Sequence, residues 1–92
     1  SPEHLKDMAS EAPIIRLVNH LISRAVSLNA SDIHIEPRKS HVQIRYRIDG
    51  VLHNMESINI KLKSAIISRV KLIAKMDIAE MRLPQHGRIR FT

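Results

Sequence analysis

The order of patterns along this 92-residue chain predicts an α+β fold: two helices packed on one face of a small, mostly antiparallel sheet, in the order α-β-β-β-α-β. Three observations predict it. Apolar residues recur at helical spacing from Ala12 to Leu28 and again from Leu62 to Ala74. Between them, residues 32–36 and 42–48 alternate apolar with polar, as half-buried strands do. Asp49-Gly50 then supplies a two-residue hairpin turn, because Asp and Gly tolerate the positive φ that a type I′ turn needs.

In the first helix Ile14, Val18, Leu21, Ala25 and Leu28 form the buried stripe, widened by Ile15, Leu17 and Ile22. Ser10 is placed to cap its start, Pro13 is tolerated in the first turn, and Asn29 suits the left-handed residue that ends it. The strand Asp32-Ile33-His34-Ile35-Glu36 stops at Pro37. In the hairpin, a two-residue loop sets Ile48 opposite Val51, Tyr46 opposite His53 and Ile44 opposite Met55, with His53 toward the core. Arg45, Arg47 and Asn54 then share the other face, which reads as basic. Asn59 can cap the second helix, whose stripe is Leu62, Ala65, Ile66, Val70, Ile73 and Ala74 and whose flanks carry Lys61, Lys63, Arg69, Lys71 and Lys75. Pro84 and Gly87 mark a loop, and residues 88–91 begin a further alternating strand. Residues 1–11 read as a flexible lead-in and 12–92 as one domain that is incomplete at its C-terminal side. The unfinished strand predicts an exposed edge at 88–91.

Composition narrows the chemistry. With no Cys, neither a disulfide framework nor a thiolate metal site or nucleophile is possible, which fits a reducing, cytoplasmic setting. With no Trp, one Tyr and one Phe, there is little to stack on bases, which argues against single-strand nucleic-acid binding. The net charge of +6 is unevenly placed: residues 1–37 hold three Lys/Arg against five Asp/Glu, and residues 38–92 hold twelve against four. Such a field attracts polyanions or an acidic protein face.

The usual catalytic signatures, including a phosphate-binding glycine loop, are missing. Six histidines are present, but no two lie at ligand spacing on one helix, so they read as solvated or hydrogen-bonded groups and no metal is expected. Asp32 and Glu36, on one strand face, are better placed to attract Arg or Lys on a neighbouring strand than to work as an acid/base pair. The candidate interface residues are Arg45, Arg47, Arg82 and Arg88, with Arg90 beside them, since guanidinium groups on rigid strands suit bidentate capture of carboxylate or phosphate.

Four stretches in order carry a resemblance: Ala12 to Asn19 (APIIRLVN), Ala30 to Pro37 (ASDIHIEP), Ile44 to Leu52 (IRYRIDGVL), and Ser68 to Lys71 through Met76 to Glu80 to the loop Arg82 to Ile89 (RLPQHGRI). Together they resemble the second N-terminal domain of the type II secretion and type IV pilus assembly ATPases over nearly everything after Ser10. Residues 76–80 lean toward the secretion branch. One departure is His86, where the family usually has Asp, so an acidic contact there is in doubt.

The resemblance implies a non-catalytic, regulatory domain of a homo-hexameric ATPase. It implies docking on the ATPase domain of a neighbouring subunit, motion driven by ATP, and work for protein export or pilus assembly. ATP and Mg would be held by a following domain, leaving this chain without a cofactor. Family arginines that approach the nucleotide phosphates are assigned to none of these residues. Implied partners are the hexamer's own ATPase domains and inner-membrane platform proteins, with a cytoplasmic location peripheral to that membrane. Two other readings start from the residues alone. One is a small basic nucleic-acid-binding domain using Lys61, Lys63 and Lys71, and the other an enzyme using His34 and Asp32.

Overall fold

A computed structural model of the chain describes residues 11–76 and 87–91. Among these residues the elements run α1 (Ala12–Ser27), β1 (Asp32–Pro37), β2 (His41–Ile48), β3 (Val51–Asn59), a 3-10 turn (Ile60–Leu62), α2 (Lys63–Met76) and β4 (Arg88–Arg90). The strands form one antiparallel sheet in the order β3-β2-β1-β4. The α+β order expected from the sequence is the one observed.

Helix α1 buries Ile14, Val18, Leu21 and Ala25, while Leu28 is 41% exposed because it follows the last helical turn. Its start differs from the expectation. The N-cap is Glu11, extended and without a side-chain cap bond, and Ser10 lies outside the described residues. The Glu11 carbonyl accepts from the N–H groups of Ile14 and Ile15 instead. The end is as expected: Asn29 has φ 55°. Its N–H donates to the Val26 carbonyl at 3.0 Å and that of Ala30 to the Ala25 carbonyl at 2.9 Å, a Schellman closure that satisfies carbonyls the helix leaves open.

The hairpin turn has φ 51° at Asp49 and 81° at Gly50, the type I′ signature. Register follows the two-residue turn as far as Arg45 opposite Asn54 and then shifts, so that Ile44 faces Glu56 and not Met55. Met55 is the extra residue of a β-bulge. The physical reason lies further along. Without the bulge Val42 would face Ser57 and Ile58 would point to the polar side; with it, Val42 faces Ile58, which packs against the core. His53 is opposite Tyr46 as expected but is exposed, because β3 is the sheet edge.

Both helices cover the same sheet face. Ile33, Ile35, Val42, Ile44 and Tyr46 from the sheet join Ala65, Ile66, Val70 and Ala74 from α2 and the α1 stripe in one core. Tyr46 is fully buried, and its hydroxyl donates to the Leu21 carbonyl at 2.6 Å, which fixes α1 over β2. Burial and the nearby Glu56 carboxylate push the Tyr46 pKa up to about 12. Asn59 caps the 3-10 turn, accepting from the Lys61 N–H at 2.9 Å.

The edge strand β4 joins β1 through a tight approach. Gly87 has φ 73°, and a Cβ there would collide with the Ile35 carbonyl oxygen, whereas nothing lies within 4 Å of a Cβ on Gly50. The Ile35 N–H donates to the Gly87 carbonyl at 2.6 Å. Gly87→Ala is therefore expected to cost about 2–3 kcal/mol and Gly50→Ala about 1 kcal/mol, read as the difference in urea midpoints. The single tyrosine gives a second check. A raised pKa means stability that is complete below about pH 10, the unfolded value, and is lost as pH approaches 12, so phenolate absorbance is expected to rise together with unfolding.

Candidate functional site

The sheet face away from the helices is polar because β1 alternates: Ile33 and Ile35 point to the core and Asp32, His34 and Glu36 to the other side. Register sets Arg47 opposite Asp32, Arg45 opposite His34 and Gln43 opposite Glu36 from β2. From β4 it sets Arg88 opposite His34 and Arg90 opposite Asp32. Three of the four interface candidates, Arg45, Arg47 and Arg88, thus meet on one face. Arg82 lies outside the described residues.

The expectation of a plainly basic face needs correcting, because the two carboxylates of β1 hold the arginines. The Asp32 side chain is only 3% exposed, and each of its oxygens has two partners. Oδ1 accepts from the Ser31 hydroxyl at 2.8 Å and lies 3.4 Å from Arg47 Nε. Oδ2 lies 2.8 Å from His34 Nε2 and 3.1 Å from Arg88 Nε. A buried carboxylate needs such saturation, since an unpaired charge there would be costly. Burial pushes its pKa up, but the Ser31 hydroxyl, His34 and Arg47 together outweigh that and hold it below the usual carboxylate range.

Glu36 forms a second, more open pair of contacts, with Arg38 Nη2 at 2.7 Å and Arg45 Nη1 at 3.4 Å. Arg47 also donates to the Gly50 carbonyl at 3.1 Å, tying the polar face to the hairpin turn. The Asp32 oxygens are both engaged within the sheet, by Ser31, His34, Arg47 and Arg88, which makes this carboxylate an anchor for its neighbours. No group of three potential metal ligands occurs among the described residues. No described helix is long and apolar enough to cross a membrane.

One polar residue escaped sequence reasoning. Glu56, brought to the helix side by the bulge, lies 3.3 Å from His20 Nε2 and 3.8 Å from Arg24 Nη1, clipping α1 to the edge strand. Its signal was present in the sequence. Met55 and Ile58 are three residues apart, so both can reach the core only if the strand slips phase.

The Asp32 cluster yields a pH prediction. Because the folded pKa is depressed, its contribution is present above the unfolded value of about 3.9 and lost as pH falls through the folded one. Asp32→Asn is expected to cost about 2 kcal/mol at pH 7 and to flatten the acid limb of the stability profile, measured by urea unfolding from neutral to acid pH.

Comparisons with known proteins bear on the family. Residues 7–92 match the family described as "Type II/IV secretion system protein". The chain is 62% identical over 87 residues to the type II secretion system protein E of Xanthomonas campestris, covering 95% of this chain and 15% of that protein. It is 48% identical to the type II secretion system ATPase E of Vibrio cholerae over 95% of this chain and 17% of that protein. To the type IV pilus assembly ATPase PilB of Myxococcus xanthus it is 43% identical over 96% of this chain and 16% of that protein. The chain therefore spans about a sixth of the length of these relatives. The ordered motifs and the match across residues 7–92 place the chain in one family: it belongs to the type II/IV secretion system proteins.

Proposed function

We propose that this chain is a docking and regulatory domain, itself non-catalytic, of a secretion or pilus-assembly ATPase. Relatives named as ATPases support an ATP-hydrolysing parent that binds ATP and Mg in another domain. The domain then docks on the ATPase domain of a neighbouring subunit in a hexamer and passes ATP-driven motion to export or pilus assembly. Inner-membrane platform proteins hold the assembly at the cytoplasmic side of the membrane.

The observation that carries this reading is the arginine face. The Arg45, Arg47 and Arg88 side chains are 27%, 35% and 43% exposed, so each is partly open to solvent while a carboxylate holds it in place. Preorganised arginines lose little freedom on meeting a carboxylate or phosphate surface.

Charge reversal at Arg45 and Arg47 would set like charges against Glu36 and Asp32, so neutral replacements, with urea unfolding to confirm that the fold persists, are the milder test. In the full-length protein, Arg45→Gln with Arg47→Gln is expected to lower ATP turnover and ring assembly at least about tenfold, equivalent to about 1.4 kcal/mol of docking energy. Unchanged assembly and turnover would remove the docking role. The 92-residue chain alone is expected to release no phosphate from ATP with Mg, and turnover by it would overturn the non-catalytic reading.

A further inference from the structure

The helical layer on the opposite side of the sheet carries a different kind of surface. Residues 12–27 contain Arg16 and Arg24 and residues 60–76 contain Lys61, Lys63, Arg69, Lys71 and Lys75, yet neither segment holds one Asp or Glu. Among the described residues, the only carboxylate paired with these seven cations is Glu56, with Arg24. The sheet face sets Asp32 and Glu36 among its arginines; the two helical segments contain no carboxylate of their own. Carboxylates in residues 1–10 and 77–86 number four, Glu3, Asp7, Asp77 and Glu80, and share those segments with Lys6 and Arg82, so they leave most of the charge uncompensated.

The charge is also arranged at some cost to the helix. Lys61 and Lys63 sit at the N-terminal end of the second helical segment, where the helix dipole disfavours cations, and no acidic residue occupies its first turn. Lys71 and Lys75 are like charges four apart on one face, a repulsive pair. An ordinary solvated helix mixes signs at such positions.

Lys61, Ser64, Ser68, Lys71 and Lys75 follow one another at steps of three or four residues, and Leu72 lies four after Ser68 and three before Lys75, so the six form one stripe. It lies opposite the buried side made by Ala65, Ile66, Val70 and Ala74. Within it Lys61, Lys71 and Lys75 are exposed, and Leu72 is 42% exposed between the last two lysines. We infer that this stripe is a second docking surface, taking an acidic protein segment whose carboxylates meet Lys61, Lys71 and Lys75 around an apolar contact on Leu72.

The chemistry of the stripe selects a protein over other polyanions. A helix that lies on a bilayer buries bulky apolar and aromatic residues, and the chain's two aromatics, Tyr46 in β2 and Phe91 just after β4, are outside the helices. Single-stranded nucleic acid wants aromatic platforms, which the stripe lacks. A leucine ringed by lysines and small serines is the pattern of a small protein interface, apolar at its centre and charged at its rim. This inference stands apart from the arginine face, which lies on the other side of the sheet.

The test uses the isotopically labelled 92-residue chain and a helical peptide of about 20 residues carrying a Glu-rich face with leucines at matching spacing. At physiological salt the peptide is expected to shift amide resonances across residues 61–76. Lys71→Glu with Lys75→Glu is expected to weaken binding at least tenfold, and Leu72→Ser at least threefold with the fold intact by thermal melting. Shifts confined to the Arg45, Arg47 and Arg88 face would overturn the inference while leaving the arginine-face reading standing. So would a charge-reversed variant that binds as well as the parent. Tighter binding to phosphatidylglycerol vesicles or to duplex DNA than to the peptide would assign the stripe to that polyanion and equally overturn it.

Discussion

The Asp32 carboxylate is the contact on which the polar half of this molecule depends. It belongs to β1, an inner strand, and its neighbours on both sides, β2 and β4, each send an arginine to it. The short strand β4 has only three residues of ladder, too little by itself to hold an edge firmly. Arg88 bound to Asp32 on one face, and Ile89 buried in the core on the other, fasten it. The same carboxylate holds Arg47, which in turn reaches the Gly50 carbonyl at the hairpin turn. One buried charge thus couples the strand edge, the sheet centre and the turn, at a site where loss of any partner would leave an uncompensated group.

The opposite half is organised by a neutral contact. Tyr46 carries the largest fully buried side chain, and its hydroxyl satisfies itself on the Leu21 carbonyl, inside α1. A tyrosine in a core of aliphatic residues is tolerated only with such a partner. It sets where α1 sits along β2, and the bulge at Met55 lets the edge strand follow by returning Ile58 to the core and Glu56 to α1. The two faces of the sheet are thereby pinned independently, one by ions and one by packing and a hydroxyl.

This division gives the domain two surfaces with different electrostatics. On the sheet face, arginines are held by carboxylates and present a partial, directed charge. On the helical face, no carboxylate among the described residues pairs with the lysines, which project a diffuse field.

The sequence by itself determined the elements, the hairpin turn and the face on which Asp32, Glu36 and the arginines lie, because periodicity and turn stereochemistry act over a few residues. It also carried the family, through four short stretches in order. Only the tertiary structure decided what depends on residues far apart in the chain. Whether Arg88 is free or held depends on β4 returning beside β1, more than 50 residues after Asp32. That His53 and Val51 are exposed although they share the face of Tyr46 and Ile48 depends on β3 being an edge, and the place of Glu56 depends on a bulge that serves Ile58. Local rules fix which way a side chain points; what meets it there is set by packing across the whole fold.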